Sequence, residues 1–295
     1  MGIILLVLHI INKKSVVREI NMKYGKFDMH CHTAEGSTDS DVSIFEYAVR
    51  LKRKGFSGML VTDHNSYDGY LAYQAEQNKL KNFVVLRGIE YDTFDYGHML
   101  VIMPPDTPQQ VYRLLTMRGM SLEKLLRLVH RYGGIIGPAH PGGEPFLSFA
   151  RTKYWRKQAQ KRYAQQFDFV EGYNACEDNK SNDIALRFSN RFALPMTGGS
   201  DAHRCDGVGL GYAILPKDLK DEDMLIAYYR QMHFPTVGGS RYGRTIKDKL
   251  KIWNLYLVVG FFFYNKVLAF LTMPKRKRWG KDFGNQMNHS LPYRR

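Results

Sequence analysis

The sequence predicts an α/β fold whose parallel strands close into a barrel. Short apolar runs alternate with segments of helical period from about residue 26 to residue 203. A histidine or carboxylate follows directly after at least five of those runs, and function collects at such strand ends when parallel strands form a barrel. An open doubly wound sheet offers a crevice mainly where its strand order switches, and no GxGxxG turn follows an early strand. Ligand-type residues after so many strands therefore favour closure.

Lys26–Met29 is the first strand and enters His30-Cys31-His32. Ser43–Lys54 carries Ile44, Tyr47, Ala48 and Leu51 at helical spacing, and Gly55 closes it as glycine does at a helix C-terminus. Gly58–Thr62 reads as a buried strand that ends at Asp63-His64. A helix over about residues 70–80 leads to the strand Phe83–Leu86, followed by Gly88-Ile89-Glu90. His98–Met103 is a further strand, Ser121–Tyr132 a helix, and Gly134–Gly137 a strand ending at Ala139-His140-Pro141. Phe167–Val170 leads to Glu171, and a helix over Ser181–Phe192 precedes Leu194–Thr197, which runs into Ser200-Asp201-Ala202-His203.

A chain of 295 residues is about what one hydrophobic core serves, so one sizeable domain with an appendage is expected. The expected divisions are an N-terminal extension over 1–21, a body over 22–240 and a tail over 241–295. The formal charge of +15 is concentrated in the tail, which holds thirteen Lys or Arg against two acids, while the body is almost neutral. Net charge therefore does not by itself mark a face for nucleic acid. Cys31, Cys176 and Cys205 lie far apart without CxxC spacing, which argues against a disulfide framework or a zinc knuckle and for a reducing, cytoplasmic compartment. Gly2–Ile11 is apolar but lacks both a preceding basic region and a following small-residue cleavage site, so it reads poorly as a secretory signal, and Met22 is an equally sensible start.

Six of the ten histidines stand at strand ends: His30, His32, His64, His98, His140 and His203. Any one of them alone is an ordinary hydrogen-bonded loop residue. Six together with Asp63, Glu90, Glu171 and Asp201 point to a shared metal site. In His30-Cys31-His32, alternate side chains of an extended strand face one side, so both imidazoles approach one ion while Cys31 points away. Asp201 and His203 repeat that spacing near the other end of the body. Neutral imidazoles with carboxylates suit zinc, manganese or iron, and the set does not choose among them.

The pieces FDMHCHT at 27–33, VTDHN at 61–65, GIE at 88–90, GHML at 97–100, AHP at 139–141 and GSDAHR at 199–204 resemble the PHP domain, the polymerase-and-histidinol-phosphatase superfamily, in the same order over roughly residues 24–215. The resemblance implies a distorted seven-stranded (β/α)7 TIM-like barrel with two to three divalent metals in its mouth. It implies a first ion on His30, His32, Glu90 and Asp201 and a second on Glu90, His98 and His140. A third would take His64, His203 and an acidic or histidine residue soon after the HxH pair. The family commonly has Asp five residues beyond the second histidine, where this chain has Ser37. Asp39 is the expected replacement, since a loop two residues longer costs little, and Glu35 is the alternative. Asp63 is expected to orient a ligand imidazole rather than ligate; Glu171 either does the same, contacts substrate or caps the next helix.

The activity implied is metal-dependent hydrolysis of a phosphate ester. Arg204 is the candidate phosphate clamp, and His203 the candidate to assist the leaving group where it does not bind metal. A barrel amidohydrolase acting on a C–N bond wants a lysine bridge where this chain has Glu90, and the nearly complete ligand set argues against a non-catalytic accessory module. The expected substrate is a phosphorylated small molecule or nucleotide; basic residues flanking Tyr154 and Trp155 in the segment 151–162 keep single-stranded nucleic acid open. In the tail, residues 252–273 are apolar, followed by Pro274 and Lys275–Arg278. As a helix this segment is about 33 Å long, but Asn265 and Lys266 interrupt it. It spans a membrane, lies on the cytoplasmic face through residues 252–279, or packs on the protein's own body.

Overall fold

The two-residue alternation of side-chain direction along the strands decides which side chains face the site. The computed structural model describes residues 23–151, 157–245, 248 and 254–287. In chain order its elements are β1 (Tyr24–Cys31), α1 (Ile44–Arg53), β2 (Phe56–Val61), α2 (Asp68–Ala75), β3 (Val84–Arg87), β4 (Ile89–Asp92), β5 (His98–Ile102), α3 (Gln109–Leu115), α4 (Leu122–Arg131) and β6 (Ile135–Pro138). They continue with α5 (Lys157–Ala164), β7 (Val170–Asn174), α6 (Asn179–Phe192), β8 (Met196–Gly199), β9 (Gly211–Pro216), α7 (Glu222–Arg230), β10 (Val237–Gly239) and α8 (Asn254–Met287). The extension over 1–21, Tyr154 and Trp155, and Ile252 and Trp253 at the head of the apolar segment lie outside the described residues.

The strands do not close. They form three separate open sheets, ordered β10-β9-β1-β2-β3, β4-β5-β6 and β7-β8, which corrects the expected seven-stranded (β/α)7 TIM-like barrel of the PHP type. A closed α/β barrel needs each strand parallel to the last and returned by a crossover. Here parallel ladders are confined to β1–β2, β2–β3 and β7–β8. Gly88 alone separates β3 from β4, and β4 turns back into β5 through residues 93–97, so β4 and β5 are antiparallel. Pairing of β5 with β6, and of β9 with β1 and β10, is antiparallel too. Backbone bonds and two isolated parallel bridges, Cys31 with Ala202 and His64 with Glu90, tie the sheets together: Asn65 N to Glu90 O at 3.0 Å, Asp168 N to Ile136 O at 2.9 Å and Asp201 N to His30 O at 2.8 Å. An apolar run carries no strand direction, so a hairpin strand and a crossover strand read alike in sequence.

The three sheets still bury their inner faces in one cluster. Phe27, Leu60 and Leu86 come from the first sheet, Leu100, Ile102 and Ile135 from the second, and Phe169 from the residue just before β7 of the third. On β4 and β5 the other parity, Ile89, Tyr91, Met99 and Val101, packs with Val111 and Leu115 of α3 and Leu125 and Val129 of α4. In α1, Ile44, Tyr47, Ala48 and Leu51 form the stripe that covers Met59 and Val61 of β2. Ser43 caps that helix by accepting from Glu46 N at 3.3 Å, and Asp178 caps α6 by accepting from Ser181 N at 2.7 Å.

Helix α8 packs on the body through the segment after α3. Gly119 has φ 91°, and a Cβ there would lie 2.3 Å from Ala269 Cβ, so helix and loop meet at a distance only glycine permits. Thr272 Oγ1 donates to Arg118 O at 3.3 Å, the Arg276 guanidinium donates to the same carbonyl, and the Arg118 guanidinium donates to Asn265 Oδ1. Among the described residues no helix is long and apolar enough to cross a membrane. Ala269→Leu should drive a side chain into Gly119 and release α8 from the body. Limited proteolysis should then cut between residues 240 and 254 faster than in the parent; equal protection of both chains would mean that another contact holds the helix.

Candidate metal centre

Glu90 stands at the middle of the site. The two-residue period of β4 turns Glu90 and Asp92 inward while Ile89 and Tyr91 face the helices. Glu90 Oε1 lies 3.0 Å from His98 Nδ1 and 2.9 Å from His140 Nε2. Its Oε2 lies 3.0 Å from His64 Nδ1, 3.3 Å from His32 Nε2 and 3.5 Å from His30 Nε2. Five imidazoles thus converge on one carboxylate that is 1% exposed. Asp201 Oδ1 faces the same pair of rings from the end of β8, 3.1 Å from His32 Nε2 and 3.6 Å from His30 Nε2.

His140 (φ 27°) and Asp201 (φ 51°) hold left-handed backbone at these strand ends. Such conformations cost of order 1–3 kcal/mol each and persist where the surroundings over-determine them. His140 N donates to Glu171 Oε2 at 2.6 Å, and Asp201 N donates to His30 O at 2.8 Å. Three sets of side chains bring ligand atoms close enough to share an ion: His30, His32 and Asp201; His64, Glu90 and His98; and His32, His64 and His203. Asp39 Oδ2 lies 3.3 Å from His203 Nε2 and 3.8 Å from His64 Nε2, beside the third set.

The donor set fits divalent cations. Glu90 Oε2 and both Asp92 carboxylate oxygens are buried and receive no hydrogen bond among the described residues, a costly state for an anion. His30 and His32 aim their Nε2 atoms at one another across 3.0 Å. Burial alone would lower the pKa of His32 and His140, but contacts with Asp201 and Glu90 outweigh it and hold them up to about 10 and about 9. Burial pushes Glu90 and Asp201 upward, and the surrounding imidazoles override it, holding both well below the usual carboxylate range. A field that favours imidazolium at the centre of the cage favours a dication there.

Known proteins place this geometry. The sequence matches the PHP domain over residues 28–185 and the PHP-associated region PHP_C over residues 179–232. The chain belongs to the PHP domain family. The PHP match spans every ligand-type residue above except Asp201 and His203. Among solved structures it is similar to PsfC from Pseudomonas syringae, with 16% identity and TM-score 0.55 over 83% of this chain and 99% of that one. It is also similar to a two-domain protein from Bacteroides vulgatus containing a predicted PHP-like metal-dependent phosphoesterase, with 16% identity and TM-score 0.53 over 74% of this chain. The match spans 65% of that protein's length. The lesion-specific endonuclease PfuEndoQ from Pyrococcus furiosus gives 18% identity and TM-score 0.54, over 72% of this chain and 57% of that one. At these identities the likeness is one of fold. Comparison with curated protein sequences found no match.

Around the PHP cage, other side chains hold the ring nitrogens that face outward. Glu171 Oε1 lies 2.9 Å from His30 Nδ1, Ser148 Oγ 3.2 Å from His140 Nδ1, and Ser37 Oγ 3.1 Å from His32 Nδ1. Such contacts fix imidazole tautomer and orientation. Asp63 accepts from Thr33 N at 2.6 Å and Ser37 Oγ at 3.0 Å, so it reaches His32 through Ser37. Glu35 accepts from Ile44 N at 2.9 Å at the start of α1. Arg204 is paired with Asp41 at the surface, with 61% of its side chain exposed.

Sequence reasoning missed three residues. Asp28, raised to about 6 by burial, accepts from Ser200 N at 2.8 Å and Tyr47 OH at 3.2 Å, tying β1 to the residue before Asp201. Asp92 Oδ1 lies 3.2 Å from His98 Nε2, and Asp92 Oδ2 lies 3.3 Å from Arg118 Nη1. Extending the two-residue period one step each way would have found both acids, since Asp28 shares a face with His30 and His32, and Asp92 with Glu90. Nothing in the sequence marks Arg118.

Glu90→Gln keeps the shape of the side chain and removes the charge that five imidazoles share. Metal per chain, by elemental analysis of the folded variant, should fall to less than half the parent's; an unchanged content would dislodge Glu90 from the centre. Stripping the parent with a chelator should lower its melting temperature. Adding manganese or zinc back at about 100 times Kd should restore about 2.7 kcal/mol of stability.

Proposed function

We propose that this PHP-domain phosphoesterase holds two or three zinc, manganese or iron ions in the Glu90 cage and hydrolyses the phosphate ester of a small molecule or nucleotide. The observation that carries the reading is the convergence of five imidazoles on one buried carboxylate. In this reading His30, His32, Glu90 and Asp201 hold one ion, Glu90, His98 and His140 a second, and His64, His203 and Asp39 a third. When bound, the ions supply Lewis acidity that lowers the pKa of a water and neutralises charge on phosphoryl oxygens. The protein's own part is to fix the ligands, through Glu171, Ser148 and the Ser37–Asp63 pair, and to receive the substrate. His203, whose side chain is 27% exposed, is the proposed proton donor to the leaving oxygen where no ion occupies it. Arg204 is the proposed phosphate clamp, because a guanidinium fork matches two phosphoryl oxygens.

Asp201→Asn should leave the fold intact and lower kcat/KM on phosphomonoesters by about 100-fold or more, since an amide ligates weakly and carries no charge. Arg204→Ala should raise KM or lower kcat by about tenfold with metal content unchanged. Release of phosphate, measured with both variants beside the parent, decides the matter. Full turnover by Asp201→Asn would place the chemistry elsewhere.

We further propose that the outward face of α8 rests on the anionic, cytoplasmic surface of a membrane. Support comes from Phe263, Val267, Phe270 and Leu271, spaced along one face of the helix and each more than half exposed. Lys275, Lys277 and Arg278 are exposed just beyond them. An apolar stripe that ends in cations suits the headgroup layer of an anionic leaflet. Full-length protein should sediment with phosphatidylserine vesicles and be partly released by high salt; a chain that stays in the supernatant at every lipid concentration would rule this out.

A further inference from the structure

A cavity of about 200 Å³ lies beside the cage, between the turn after β4, the segment around Phe146 and the inward face of α8. Asp92 and His98 line its cage end, so it is continuous with the side chains grouped around Glu90. Phe94, Phe146 and Phe262 line it together with Asp95, Asn265 and Lys266. The rings of Phe146 and Phe262 lie 4.9 Å apart at 43°, and Lys266 Nζ lies 3.7 Å from the centroid of Phe94 and 5.0 Å from that of Phe262. Phe146 holds φ 71°, a left-handed backbone that a bulky residue adopts only under constraint. The contact of Gly119 with Ala269 sets the height of the α8 wall, one turn from Lys266 and two from Phe262.

We propose that this cavity is the subsite for the leaving group of the phosphate ester, and that it takes a single planar ring, aryl or nucleobase. The inference rests on the phosphoesterase reading above and adds the class of substrate. Three phenyl side chains border the cavity, and a flat ring packed against one of them gains about 0.5–1.5 kcal/mol per ring pair beyond area burial. The Lys266 ammonium on the same wall favours a ring that carries acceptor atoms. At about 200 Å³ the cavity is smaller than the roughly 300–1,000 Å³ of sites that enclose drug-sized ligands, so it suits one ring system rather than successive bases of a strand. His98 both contacts Glu90 and lines the cavity, which puts the ring and the phosphate at adjacent stations. The C-terminal helix is then a wall of the site.

The test uses the full chain loaded with manganese and two non-hydrolysable probes, phenylphosphonate and methylphosphonate, with affinity read by calorimetry. Turnover of phenyl phosphate and methyl phosphate is followed in parallel. The parent should bind the phenyl probe at least about tenfold more tightly, a difference of about 1.4 kcal/mol. In Phe262→Ala that ratio should fall toward unity, whereas Phe263→Ala, on the outward face, should keep it. Metal content and melting temperature of each variant separate a lost subsite from a lost fold, and the parent's own ratio decides even if a variant fails to fold. Equal affinity of the parent for both probes, or a ratio that survives Phe262→Ala, overturns the subsite while the phosphoesterase reading stands. Failure to bind either probe, with no hydrolysis of either ester, overturns both.

Discussion

One buried carboxylate governs this structure. Glu90 is removed from water, and the cost of burying an anion is offset only by positive groups held close to it. Five imidazoles arrive within 3.5 Å of its two oxygens, from the ends of β1 and β6, from β5 and from the residue after Asp63. Convergence on a single point is therefore the requirement the fold has to meet. Closure of the sheet is not. Three open sheets joined by a few backbone bonds and isolated bridges satisfy it, provided that their inner faces share one core and their ends reach the same place. The left-handed backbone at His140 and Asp201 is where that demand is absorbed.

The parts of the site legible in sequence are those with a local pattern. His30-Cys31-His32 needs only the two-residue period of a strand to bring both rings together, and their Nε2 atoms do meet at 3.0 Å. Helix α1 was legible for the same reason, through a stripe of four residues at helical spacing closed by Gly55. Strand direction was not. The turn at 93–97 reverses β4 into β5, and neither run of residues records that they are antiparallel. Asp28 and Asp92 escaped because an acid two residues from a ligand looks like ordinary strand polarity until the face it shares is followed. The strands and helix after residue 210 carry no ligand, so a reading led by strand-end histidines passed over them.

Ser37 changes the balance of charge on one side of the cage. Its hydroxyl bridges Asp63 and the outward nitrogen of His32, which orients that ring but brings no charge to the site. The His64 and His203 side then depends on Asp39, whose carboxylate is half exposed and screened by solvent. Burial also drives His64 down to about 4, so its ring stays neutral at physiological pH and brings a lone pair rather than a charge. The Glu90 and Asp201 side has two carboxylates in low dielectric within reach of the same two rings. Attraction for a cation is therefore steeper on that side, and any difference in affinity among bound ions follows from this asymmetry.

Arg118 joins the tail to the cage. Its guanidinium pairs with Asp92 and donates to Asn265, while its carbonyl accepts from Thr272 and Arg276. Asp92 in turn sits 3.2 Å from His98 Nε2, and His98 contacts Glu90. The chain of contacts from α8 to the central carboxylate thus passes through two intermediaries that sequence alone did not single out. The basic tail looked unrelated to the chemistry because its first cation, Arg241, stands 38 residues of sequence beyond His203. In space the separation is Arg118 and Asp92. Lifting α8 would withdraw Asn265 from that guanidinium and free it to leave Asp92, stripping the buried carboxylate beside His98 of its cation. Position of the tail and electrostatics of the site are therefore linked through the pairing of Arg118 with Asp92.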